Sequence, residues 1–197
     1  MDIEKTLKYY NKHACNFYTN TINIDMRQIY IPFITLMHKG GKILDAGCGS
    51  GRDSLFFEKQ GFKVTAFDAS EKLSSLASKL LQKPVHCLSF EQISFKEKFD
   101  GIWACSSLIH ISKSKMNSII SKLEQVLKKN GIFYMSFKHG NKERFARGRF
   151  FNDYNEISFL ELMEGFSSFD VVKIWKSVDL RQCKKNQFWL NVIVKKK

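Results

Sequence analysis

The stretch Ile43-Leu44-Asp45-Ala46-Gly47-Cys48-Gly49-Ser50-Gly51 constrains the fold more than any other part of the chain. A short apolar run ends in an acid and then breaks into three glycines at alternate positions. A helix pattern starts at once with Arg52, Asp53, Ser54, Leu55, Phe56 and Phe57. This outlines a parallel strand that enters a tight nucleotide-binding turn and leaves through a helix N-terminus. Glycine accepts positive φ, and without a Cβ it lets backbone N–H groups approach a ligand closely. The helix end adds partial positive charge. The spacing departs from the dinucleotide fingerprint G-x-G-x-x-G. The third glycine comes one residue early, and an acid stands two residues before the first.

From that turn outward, strand and helix patterns alternate. Helical regions are expected over residues 2–19 and 26–37. Strands are expected at 43–46, 62–67, 84–87, 99–104, 132–137, 170–175 and 188–194, the last two as a closing antiparallel pair. Helix 52–60 is closed by Gly61, and Ser70 with Glu71 opens the next helix. Met116, Ile119, Ile120, Leu123, Val126 and Leu127 form an amphipathic stripe that Asn130-Gly131 is expected to end. A further helix lies near 155–164. The alternation predicts an α/β, doubly wound sheet with helices on both faces. With two prolines, no repeat and no low-complexity linker, 197 residues fit one domain.

No apolar run approaches the roughly 18 residues of a membrane span, and the polar N-terminal stretch has no signal-peptide core. Cys15, Cys48, Cys87, Cys105 and Cys183 are scattered, with no C-x-x-C spacing. Reduced thiols in a cytoplasmic protein are expected, with neither a metal site nor a disulfide framework. The net charge of +13 suits nucleic acid, anionic lipid or an acidic substrate; equally it suits lysines spread over solvated faces. Charge concentrates only at residues 138–149 and 195–197.

Asp68 closes the second strand, 17 residues after Gly51. Its carboxylate can accept both hydroxyls of a ribose, or cap the helix that follows. The set strand-D-x-G-x-G-x-G-helix-strand-D resembles the class I S-adenosylmethionine-dependent methyltransferases. Gly49-Ser50-Gly51-Arg52-Asp53-Ser54 resembles a subgroup of small-molecule methyltransferases that includes tellurite-resistance-type enzymes. The resemblance covers nearly the whole chain and is strongest from Ile43 to Phe137. It implies a seven-stranded, mostly parallel, Rossmann-like sheet with its last strand antiparallel. It also implies an N-terminal helical lid (1–40), a cofactor-binding core (41–137) and a substrate-side loop with closing strands (138–197). The implied cofactor is S-adenosylmethionine, with S-adenosylhomocysteine as product.

The same resemblance assigns site residues. Gly47, Cys48, Gly49 and Gly51 form the turn. Asp45 faces the cofactor's amino group or braces turn amides. Arg52, followed by Asp53, holds the cofactor carboxylate or clamps a neighbouring loop. Asp68, Ala69 and Ser70 lie at the ribose. Ser89 and Phe90 bracket the adenine, with a plain core Phe as the alternative. Cys105 borders the methionine arm and the incoming substrate, or is an inert small residue of a polar loop. Tyr10 and Tyr18 belong to a Y-x-x-x-A-x-x-Y lead that lies over the cofactor, or to an ordinary amphipathic helix.

Methyl transfer from a sulfonium needs proximity and orientation more than dedicated acid–base groups. The sequence Ala104-Cys105-Ser106-Ser107 lacks the N/D-P-P-Y/F pattern of amino-methylating nucleic-acid enzymes, and no Pro-Cys pair exists. A small polar or anionic metabolite is therefore the expected acceptor. RNA and a non-catalytic cofactor-binding role stand as alternatives, and the oligomeric state is open. His110 is the candidate general base, or a satisfied loop histidine. Lys138, Arg149 and Arg181 are the candidate acceptor ligands, Arg149 with the fork geometry for an anion, or they belong to a mobile charged loop with no ligand.

Overall fold

The computed structural model describes residues 2–181 and 187–197, so Cys183 lies outside the described residues. Among the described residues nine strands follow in chain order: β1 (Lys42–Ala46), β2 (Lys63–Asp68), β3 (His86–Cys87), β4 (Phe99–Ala104), β5 (Leu127–Lys138), β6 (Glu143–Ala146), β7 (Arg149–Asn152), β8 (Phe169–Val178) and β9 (Phe188–Lys196). Seven form one sheet in the order β3-β2-β1-β4-β5-β9-β8. The β1–β2, β1–β4, β2–β3 and β4–β5 pairs are parallel. The last strand, β9, runs antiparallel to both β5 and β8, so it lies inside the sheet and β8 forms the edge.

The central strands are buried on both faces, as parallel strands covered by helices must be. Ile43, Leu44, Ile102, Trp103 and Phe133 have no exposed surface. One face packs on α6 (Lys113–Val126) and α7 (Glu156–Met163), through Met116, Ile120, Leu123 and Phe159. The other packs on α3 (Arg27–Ile34) and α4 (Arg52–Lys59), through Phe33 and Phe57. There Trp103 stacks on Tyr134 with ring centroids 3.9 Å apart. Helix α5 (Glu71–Leu81) follows β2. The order reverses at β1: β2 lies on one side and β4 on the other. That leaves a crevice beyond their carboxyl ends, where open α/β sheets bind ligands.

Three expectations are corrected. Asn130-Gly131 does not end α6, which stops at Val126. The chain enters β5 directly, Leu127 pairs with Phe99, and the register then shifts so that Ile132 meets Gly101. Asn130, at φ 61°, serves this bulge, because a left-handed residue suits a bulge as well as a helix stop. The N-terminal region is two helices, α1 (Asp2–Lys12) and α2 (Ala14–Thr21), interrupted at His13. The expected loop after β5 contains the antiparallel β6–β7 hairpin, turned by Arg147 and Gly148 at φ 50° and 77°. Positive φ at both central residues fits a two-residue hairpin turn. No described helix is long and apolar enough to cross a membrane.

Candidate functional site

The crevice opens into a cavity of about 660 Å³. Its floor is the glycine turn after β1. Gly47, Gly49 and Gly51 adopt φ of 81°, 56° and 80°. A Cβ on Gly47 would fall 2.4 Å from Ser107 Cβ, and one on Gly49 would fall 3.1 Å from the Phe17 ring. These glycines are thus demanded by sterics as well as by φ. Their N–H groups are spent within the fold. Gly47 and Cys48 both donate to the Phe67 carbonyl at 2.9 Å, and Gly51 donates to the Cys48 carbonyl at 3.0 Å. The sequence suggested amides facing a ligand, whereas these amides lace the turn to β2 and to itself.

Gly49 N–H donates to Asp68 Oδ2 at 2.9 Å, and Ser70 N–H donates to Oδ1 at 2.8 Å. Burial raises the Asp68 pKa above its ordinary value, against those two hydrogen bonds. Each carboxylate oxygen keeps acceptor capacity, and Asp68 borders the cavity.

A buried polar network lies beside the turn. Asp53 accepts from Arg52 Nε and Tyr30 Oη at 2.6 Å, and from Trp103 Nε1 at 2.8 Å. Burial acts upward on Asp53, but the Arg52 charge and these donors hold it below the ordinary carboxylate range. Arg52 also donates to the Thr21 carbonyl at 3.3 Å, so it clamps α2 to α4. Asp45 accepts from Ser54 Oγ at 2.6 Å; burial, then the Asp53 charge, push it up to about 8.

Most of the expected residues converge on this cavity. Gly47, Cys48 and Gly49 meet Arg52, Asp53, Asp68 and Ala69 there. Ser89 and Phe90 lie on the same wall, Phe90 edge-on to Phe67 at 5.2 Å. Cys105 also borders it, its thiol pushed up to about 12 by burial and then the Asp53 charge. Tyr10, His110, Lys138, Arg149 and Arg181 complete the set. Four expected residues are off the wall. Asp45 is buried and Gly51 opens α4 against Ala77. Ser70 caps α5 and donates to Asn11 at 2.7 Å. Tyr18 is off it, while Tyr10 and Phe17 face inward.

Tyr10 Oη lies 2.9 Å from His110 Nε2, and His110 Nδ1 lies 2.6 Å from the Phe150 carbonyl. Because that carbonyl only accepts, Nδ1 carries the proton, and Nε2 accepts from Tyr10. Burial lowers the His110 pKa to about 4, so the ring is neutral at pH 7. Its lone pair faces Tyr10 rather than open cavity. Lys138 Nζ donates to Gln187 at 2.6 Å and lies over the Trp189 ring. Arg181 is held by both oxygens of the buried Asp179, which also accepts from Trp189 Nε1 at 3.1 Å.

Sequence reasoning missed Phe17, Asp179 and the serines Ser106 and Ser136 on this wall. Phe17 sits on α2, past the interruption at His13, so spacing from Tyr10 on α1 does not place it. Nothing local marks Asp179 as a buried acid.

Residues 44–135 match the family described as methyltransferase domain. The ubiquinone biosynthesis O-methyltransferase of Pasteurella multocida is 33% identical over 114 residues, 49% of this chain and 46% of that protein. The crystal structure of TehB from Haemophilus influenzae matches with a TM-score of 0.71 at 16% identity, covering 92% of this chain and 66% of that one. The 1,6-didemethyltoxoflavin-N1-methyltransferase of Burkholderia thailandensis was solved with 1,6-didemethyltoxoflavin and S-adenosylhomocysteine bound. It matches with a TM-score of 0.67 at 20% identity, covering 96% of this chain and 89% of that one. The aligned stretches span about half the length of the first curated relatives, at 52%, 46% and 48%.

Proposed function

We propose that this chain is a class I S-adenosylmethionine-dependent methyltransferase and that it transfers a methyl group from S-adenosylmethionine to a small polar metabolite. The observation that carries the reading is the Asp68 carboxylate, braced at 2.9 Å by the glycine turn on the wall of a cavity of about 660 Å³. A cavity of that size suits a nucleoside-sized ligand.

The donor set fits the cofactor. Asp68 has acceptor capacity for the ribose hydroxyls. Phe90, Leu73 and Ile109 offer apolar surface to a purine. Gly47 and Gly49 keep the wall free of side chains. When bound, the cofactor supplies a methyl group on a sulfonium, an electrophile that needs no metal or acid. The protein's part is to hold the reactants in line and exclude water. Helix α1, α2 and the β6–β7 hairpin border the cavity through Tyr10, Phe17 and Arg149 and serve as its cover.

His110 acts at one remove in this reading. Its neutral Nε2 accepts from Tyr10 Oη and so orients the phenol toward the acceptor, while the Phe150 carbonyl holds His110 Nδ1–H.

Isothermal titration with S-adenosylmethionine and S-adenosylhomocysteine tests the reading. Saturable one-site binding of both is expected. Folded protein that binds neither would refute it.

A further inference from the structure

We infer that Arg149 is the seat for a carboxylate on the methyl acceptor, an inference that rests on the methyltransferase reading above. Arg149 opens β7 and borders the cavity. Its guanidinium carbon lies 4.4 Å from the Tyr9 ring centroid, 5.1 Å from Phe151 and 5.6 Å from Tyr10. Of the four other arginines of the cavity, three sit on an aspartate, Arg52 on Asp53, Arg144 on Asp153 and Arg181 on Asp179, and the fourth, Arg147, is exposed at the hairpin turn. Arg149 has no carboxylate partner among the described residues. Among the described residues its one hydrogen bond is long, 3.4 Å from NH1 to Tyr10 Oη, and its buried Nε meets no partner.

A caged cation with an unspent donor is costly unless something arrives to satisfy it. Aromatic rings stabilise the charge but accept no N–H bond in line. An oxyanion supplies both the counter-charge and the acceptors, and the planar fork of Arg matches a carboxylate bidentately. Placement favours the acceptor as its source. Asp68, Tyr10 and Arg149 line the same cavity, with the guanidinium against the Tyr10 ring. An anionic group is repelled at the Asp68 end and attracted at the Arg149 end. Lys138 and Arg181, the other cations expected for this task, already hold Gln187 and Asp179.

The cofactor carries a carboxylate of its own, so the test separates the two sources. Protein saturated with S-adenosylhomocysteine is titrated with benzoate and with its neutral isostere benzamide. The wild type is expected to prefer benzoate by about tenfold or more, as a charge-assisted fork should. In Arg149→Met the preference should fall below about threefold, while affinity for S-adenosylhomocysteine stays within about threefold. Arg149→Lys, which keeps the charge but loses the fork, should fall between and guards against a misfolded Met variant. A preference that is missing in the wild type, or that survives in both variants, overturns the inference, as does failure of benzoate to bind. A loss of S-adenosylhomocysteine affinity beyond about tenfold in Arg149→Met assigns the guanidinium to the cofactor's carboxylate and overturns it too. Wild-type protein that is folded yet binds no S-adenosylhomocysteine brings down the cofactor reading as well, which distinguishes that failure from this one.

Discussion

Asp53 is the residue whose local sequence says least about its job. Beside Arg52 it looks like a surface pair, yet it is 6% exposed and accepts three side-chain hydrogen bonds. Asp53→Ala would strand the Arg52 charge, the Tyr30 hydroxyl and the Trp103 N–H in a dry interior. We expect a loss of about 3–5 kcal/mol, read from urea midpoints. Asp68→Asn presents an NH2 group to one of two backbone donors and removes the charged acceptor. S-adenosylhomocysteine affinity should fall about tenfold or more in a calorimetric titration. His110 gives a pH signature. Its folded pKa, about 4, lies below the unfolded value near 6.5. The folded state therefore binds fewer protons between those values. Its contribution to stability is full above pH 6.5 and is lost as pH falls through that window, at up to about 1.4 kcal/mol per unit. Urea melts from pH 7.5 to 4.5 should show that slope reduced in His110→Gln. Parallel wild-type and variant curves would remove His110 as its source. Of the residues named from sequence, the glycines and Asp68 were legible because their chemistry is local. Asp45, Gly51, Ser70 and Tyr18, which the resemblance placed beside the cofactor, lie off the cavity wall, since facing is set by packing partners that adjacent residues do not reveal.

Among the elements, the β6–β7 hairpin was the one hidden in plain view. Its turn is Arg147-Gly148 rather than the usual Asn-Gly, and its strands Glu-Arg-Phe-Ala and Arg-Phe-Phe-Asn do not alternate cleanly. Gly148 is required here: it has φ 77°, and a Cβ would come 3.2 Å from Tyr9 Cδ2. Gly148→Ala should cost about 1–2 kcal/mol and loosen the hairpin against α1. Arg147→Asn should add a few tenths, because Asn tolerates the left-handed region better. Thermal midpoints of the two variants should move in opposite directions. The end of α6 was misplaced for a related reason. Asn130-Gly131 signals a left-handed backbone without saying which structure uses it, and pairing with β4 decided for a bulge. The central strands β1 and β4 were read correctly because apolar runs between turn signals are themselves the strand pattern.

At the scale of the whole molecule, a ligand that binds only the folded crevice stabilises it by mass action. S-adenosylhomocysteine at about 100 times its dissociation constant should add about 2.7 kcal/mol. For a chain of this size that amounts to a rise of roughly 5–10 °C in the melting midpoint. Asp68→Asn should show a smaller rise at the same concentration, which ties the stabilisation to the crevice. The sequence by itself determined the doubly wound sheet, its glycine turn and the acid on the neighbouring strand. Those features come from backbone sterics and apolar periodicity over a few residues. Tertiary structure alone decided that Arg52, Arg144 and Arg181 meet aspartates while Arg149 meets aromatic rings. Tyr10 reaches His110 across 100 positions and Arg149 across 139. Charge states and hydrogen-bond partners depend on what distant segments bury around them, and no local pattern encodes that burial.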